Sequence, residues 1–130
     1  MDLLSLSREL IAADTVSHHG TQAAVAVLKP LYEAAGLAIQ IQEVVRDGVR
    51  HQNLFGAYPG TESQGLLLVT HLDTVDAGPL EMWTETAPHQ LAQKGDKIFG
   101  LGSADTKLDA ICKLFAAREF TGKKLRRSLQ

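Results

Sequence analysis

Leu66-Leu67-Leu68-Val69 is a continuous apolar run leading into Thr70-His71, and no other segment constrains the fold of this chain as strongly. Such a run has no polar face, which suits a strand covered on both sides rather than one at a surface. It predicts a central strand over residues 66–70. Helical periodicity lies on either side. Leu3, Leu6, Leu10 and Ile11 share one face of a helix ending near Asp14, and Ala24, Val27, Leu28, Leu31 and Ala35 mark a second. Gly36 stops that second helix, and Pro30 inside it predicts a bend or a break. Leu108, Ile111, Cys112 and Phe115 indicate a third helix.

Residues 37–45 alternate, with Leu37, Ile39 and Ile41 on one side, which predicts a half-buried strand. Arg46-Asp47-Gly48 is a hairpin-type turn, and residues 49–58 pair back. Residues 90–99 form a short hairpin around Lys94-Gly95-Asp96-Lys97, and residues 125–130 open a further strand. Helices before and after a buried strand give an α/β fold: a layered domain with helices packed on a mixed sheet. In such sheets sites gather at the carboxyl ends of strands. His71 and Asp73 lie at such an end.

A chain of 130 residues with a formal charge of −2 gives no reason to expect a nucleic-acid or membrane partner. The basic run Lys123-Lys124-Leu125-Arg126-Arg127 reads as a solvated turn between helix and strand. Cys112 is the only cysteine, which rules out an internal disulfide and fits a reducing compartment. Its place on a helix face predicts core packing. The first residues lack a basic stretch followed by an apolar core, and no apolar run nears the roughly 20 residues of a membrane helix. The expectation is a soluble, cytoplasmic protein.

Two short motifs carry chemistry. In an extended chain His71 and Asp73 point the same way, so Asp73 can hold the imidazole from behind while the other ring nitrogen binds a metal. Equally, the two are a strand-end histidine and a turn aspartate, the commoner arrangement. Asp105 follows Gly100-Leu101-Gly102-Ser103-Ala104 and suits an N-cap for the third helix. It also suits a carboxylate between two cations, because the glycines let backbone approach closely. His18, His19, His51 and His89 are expected away from the site, and Trp83 is expected to pack against its loop.

Together the motifs resemble the M20 family of zinc-dependent peptidases and N-deacylases. That family shows a His-x-Asp-Thr-Val segment, a Trp-containing loop, a strand pair, and Gly-x-Gly-x-x-Asp-x-Lys opening a helix. His71 to Val75, Trp83, residues 90–99 and Gly100 to Lys107 stand here in that order. Asp14-Thr15-Val16-Ser17 and Asn53 also sit where the family carries an early Thr-x-Ser and a strand Asn. The resemblance covers nearly the whole chain. It implies a zinc-exopeptidase-like catalytic domain, with His71 a metal ligand, Asp105 the carboxylate bridging both metals, and Asp73 the catalytic carboxylate that orients His71. It implies two Zn2+ ions, with Co2+ or Mn2+ as substitutes, and a cis peptide after Asp105. The substrate class would be N-acyl amino acids or small peptides, acetylornithine deacetylase being the nearest type. The complete protein would be a homodimer.

Leu101 stands where many relatives have Arg, Leu108 where they have Gly, and Asp76 where Pro is common. In relatives a Glu-Glu pair follows the strand that opens near Leu125, supplying a general base and a ligand; this sequence has no consecutive Glu-Glu. A further acidic ligand, a late His and a lid or dimerisation domain also lie beyond residue 130 in relatives. The expectation is that residues 1–130 are the N-terminal portion of an M20-type catalytic domain, incomplete at the C-terminus and inactive alone. The competing expectation is a degenerate, non-catalytic α/β interaction domain.

Overall fold

The computed structural model describes residues 2–130. Helix α1, Leu3–Ala12, is capped by Asp2, whose carboxylate accepts the Ser5 amide at 2.9 Å. Helix α2, Gln22–Ala34, ends in a Schellman arrangement: Gly36 takes φ 77°, its amide donates to Glu33 O, and the Leu37 amide donates to Tyr32 O. Helix α3 spans Leu108–Arg118. The three share one core of Leu6, Leu10, Ala24, Leu28, Ala110 and Ile111, the faces that period-3.6 spacing assigns to α1 and α2.

Strands β1, Ala38–Arg46, and β2, Val49–Ala57, form an antiparallel hairpin. Asp47 and Gly48 both take positive φ, 52° and 78°, as a two-residue type I′ turn requires. Beyond β2, Tyr58 exchanges backbone bonds with Leu129 in β6, Ser128–Leu129. In turn β6 runs parallel to β3, Gly65–Leu66. A second hairpin joins β4, Ala92–Lys94, to β5, Lys97–Phe99, around Gly95. Helices on small, mixed sheets make an α/β fold, as expected.

Four expectations change. Helix α2 runs through Pro30 without a break. Both Pro30 and Ala26, whose carbonyl loses its partner, face solvent, so water replaces the missing bond. Strand β1 is not half-buried: Ile39 alone of its residues is partly covered, and Ile41, two positions on and on the same face, is already 37% exposed. Cys112 is exposed. The buried face of α3 runs through Ala110, Ile111, Leu114 and Ala117, which turns position 112 outward.

The fourth concerns the apolar run. Only Gly65–Leu66 is paired as strand, although Leu68 N also donates to Gln130 O at 2.7 Å. Burial of a strand belongs to its neighbours, and the pairing partner here extends only along residues 128–130. Leu67 and Val69 are 61% and 72% exposed. An open edge with an apolar face invites association. The purified 130-residue chain should therefore self-associate in light scattering, and Leu67→Lys with Val69→Lys should shift it toward monomer. A wild-type chain that stays monomeric at high concentration would sink this idea.

Candidate metal centre

Two segments meet at the end of the apolar run. The first, residues 71–74, is gripped by residues 15–17 of the connection between α1 and α2. The buried Thr15 hydroxyl donates to Leu72 O at 2.7 Å, Thr74 N donates to Thr15 O at 2.9 Å, and Ser17 N donates to Thr74 O at 3.1 Å. The second is the wide turn Ser103–Lys107 before α3, in which Asp105 and Thr106 leave helical geometry and the Asp105–Thr106 peptide is cis. Gly102 admits it with φ 78°; a Cβ there would stand 2.9 Å from Thr74 Cγ2. The Thr106 hydroxyl donates to His71 O at 2.9 Å and ties the two segments together.

His71 and Asp105 are brought into direct contact, with Nε2 2.8 Å from Oδ1. On the other side of the ring, Nδ1 lies 3.0 Å from Asp73 O and 3.4 Å from Asp73 Oδ1. A carbonyl can only accept, so Nδ1 carries the proton and Nε2 offers its lone pair toward Asp105. A lone pair facing a carboxylate needs a cation between them. The hydrogen bond to Asp105 holds the His71 pKa above its usual value, against the opposing effect of burial. Asp73 thus reaches His71 first through its backbone and second through its carboxylate. The alternation of side chains in an extended segment predicts the carboxylate there but not the carbonyl.

Both side chains are open to solvent, His71 at 52% and Asp105 at 81%. They border a cavity of about 350 Å3 together with Ser17, Asp73, Trp83 and the 100–105 segment. Trp83 both packs and borders the site: its indole N–H donates to Ala77 O at 2.8 Å. The other histidines stay outside it. His19 Nδ1 sits 2.8 Å from Asp14 Oδ2, His89 Nε2 3.8 Å from Asp14 Oδ1, and His18 Nδ1 3.6 Å from Asp76. His51 lies on β2 opposite Val44. Burial raises the Asp14 pKa, but the Val16 amide and the two histidines outweigh it and leave the carboxyl below its usual range.

Lys107 is a residue whose role the sequence reading left open. It is fully buried, and its ammonium donates to Ala13 O at 2.6 Å, tying the Asp105 turn to the end of α1. Burial pushes its pKa down to about 8, against the pull of Asp14. Its place in Gly-x-Gly-x-x-Asp-x-Lys was the available signal. Ser17 and Thr106 were also unassigned; Ser17 at least stood in the Thr-x-Ser segment.

As metal donors, His71 Nε2 and Asp105 are of suitable type, adjacent and turned to the same cavity. Zinc takes about three or four protein ligands, and among the described residues no group of three or more His, Cys, Asp or Glu could hold a metal. The pair fits as part of a ligand set. Among these residues, too, no helix is long and apolar enough to cross a membrane.

No protein-family profile matches the chain. It is 32% identical over 119 residues to a succinyl-diaminopimelate desuccinylase of Methylibium petroleiphilum, covering 90% of this chain and 30% of that protein. Against the enzyme of that name from Janthinobacterium sp. it is 35% identical over 120 residues, covering 90% and 29%. Among solved structures, an M20 family metallo-carboxypeptidase from Sulfolobus solfataricus superposes with a TM-score of 0.82 at 21% identity, over 99% of this chain and 30% of that one. Human carnosine dipeptidase 1 gives a TM-score of 0.80 at 16% identity, over 98% and 30%. The chain thus spans about 30% of the length of the curated relatives it matches.

Proposed function

Because the chain belongs to the M20 metallopeptidase family, we propose that it is the front part of a zinc-dependent catalytic domain that hydrolyses amide bonds of N-acyl amino acids or small peptides. The observation that carries this reading is the contact of His71 Nε2 with Asp105 Oδ1 just after the apolar run, beside an open cavity. His71 and Asp105 would hold the metal, and Asp73 would orient His71. When bound, the metal supplies Lewis acidity toward the amide carbonyl and a water acidified toward neutrality.

The chain's own residues prepare that chemistry. Asp73 takes the Nδ1 proton in a hydrogen bond, which fixes the tautomer and makes Nε2 the basic nitrogen. Asp105 keeps an exposed carboxylate whose second oxygen has no partner among the described residues, so it can serve a second cation. Thr106 and Lys107 hold the turn that carries Asp105. The desuccinylase relatives and the acetylornithine deacetylase type both cleave an acyl group from an amine, and the substrate proposed here is of that class.

Zinc titration against a chromophoric chelator tests the reading. The wild-type chain should bind Zn2+, and His71→Ala or Asp105→Ala should each remove measurable affinity. The wild-type affinity should also weaken as pH falls through the raised His71 pKa, because metal and proton compete for Nε2. An Asp105→Ala chain that binds zinc as the wild type does would exclude this centre.

A further inference from the structure

We propose that Ser17 is a positioning residue for the candidate centre: its hydroxyl fixes the Asp73 carboxylate, and through it the ring of His71. The proposal rests on the reading of His71 as a ligand. Asp73 spans two neighbours, with Oδ2 3.0 Å from the Ser17 hydroxyl and Oδ1 3.4 Å from His71 Nδ1. The Ser17 hydroxyl has one proton and two acceptors within reach, Asp73 Oδ2 and, at 3.3 Å, Thr74 O. The carboxylate is the nearer and the charged one, and charge-assisted bonds are the stronger kind.

The hydroxyl is not what holds the backbone together. Thr15 to Leu72, Thr74 to Thr15 and Ser17 N to Thr74 O already join the two segments, and none of them uses the Ser17 side chain. Ser17 lines the cavity rather than the core. Among the described residues, Ser17 alone bonds Asp73 Oδ2, and the Asp73 side chain is 48% exposed. Without the hydroxyl the carboxylate is free to turn to water, leaving His71 Nδ1 only the Asp73 carbonyl. The ring would keep one hydrogen-bond partner and lose the charged one that strengthens Nε2 as a donor.

The test compares wild type, Ser17→Ala and Ser17→Thr in the 130-residue chain. Three-bond couplings from N and C′ to Cγ report the χ1 rotamers of Asp73 in the metal-free protein. One rotamer should dominate in wild type, average out in Ser17→Ala, and dominate again in Ser17→Thr. Zinc affinity should fall about tenfold in Ser17→Ala and recover in Ser17→Thr. Unchanged protection of the Thr74 amide against hydrogen exchange would show that the backbone clasp survives in all three. A single Asp73 rotamer in Ser17→Ala, or equal zinc affinity in the three chains, overturns the proposal. If wild type binds no zinc while the couplings behave as expected, Ser17 still positions Asp73, and it is the metal reading that fails.

Discussion

The purified 130-residue chain, supplied with Zn2+, should hydrolyse N-acetyl and N-succinyl amino acids no faster than zinc alone. Two protein donors, His71 and Asp105, lie in contact, and no third His, Cys, Asp or Glu joins them to make a metal-holding group among the described residues. A zinc held by so few ligands exchanges readily, and its bound water is neither fixed nor matched to a base. Asp73 cannot take that role, because its carbonyl and carboxylate face His71 and Ser17. The expected loss is therefore of the whole rate enhancement, which for enzymes is commonly at least about a millionfold. The measurement is amine release over hours, with an Asp105→Ala control. Zinc-dependent turnover that vanishes in the control would show that two donors suffice, or that copies of the chain complete one another's site.

The helices and hairpins were legible because their signals are local. Apolar spacing along α1 and α2, Gly36 as a stop, and Asp47-Gly48 between alternating residues each act within a few positions. Burial of the strands was not legible, since it depends on what lies beside them. Leu67 and Val69 have the composition of a core strand and are exposed. Cys112 failed for a related reason: on a short helix a residue next to Ile111 is about 100° away from it, enough to leave the core face. At the site, His71 and Asp105 were legible only jointly, through two motifs 34 positions apart that the fold brings to 2.8 Å. Ser17 reaches Asp73 across 56 positions, and no rule of spacing connects a hydroxyl to a carboxylate at that separation.

Raising the pH from about 8 to 10.5 should stabilise the wild-type chain relative to Lys107→Met by roughly 3 kcal/mol. Lys107 is wholly buried, its one hydrogen-bond acceptor among the described residues is Ala13 O, and burial lowers its pKa from 10.5 to about 8. In that window the unfolded chain keeps the proton and the folded chain has released it. The unfolded state binds more protons, so stability rises with pH. Below pH 8 both states are charged, and the fold bears the full cost of a buried ammonium; above 10.5 both are neutral and the gain is complete. The neutral amine still donates to Ala13 O, so the tie between the Asp105 turn and α1 outlasts the titration. Tyr32, whose pKa is raised by burial, works the other way, but it is common to both chains and cancels in the comparison. Urea unfolding of chelator-treated protein across this range gives the difference. A constant gap between wild type and Lys107→Met would mean that Lys107 keeps an ordinary pKa in the fold, and that Asp14 and Ala13 O compensate its burial in full.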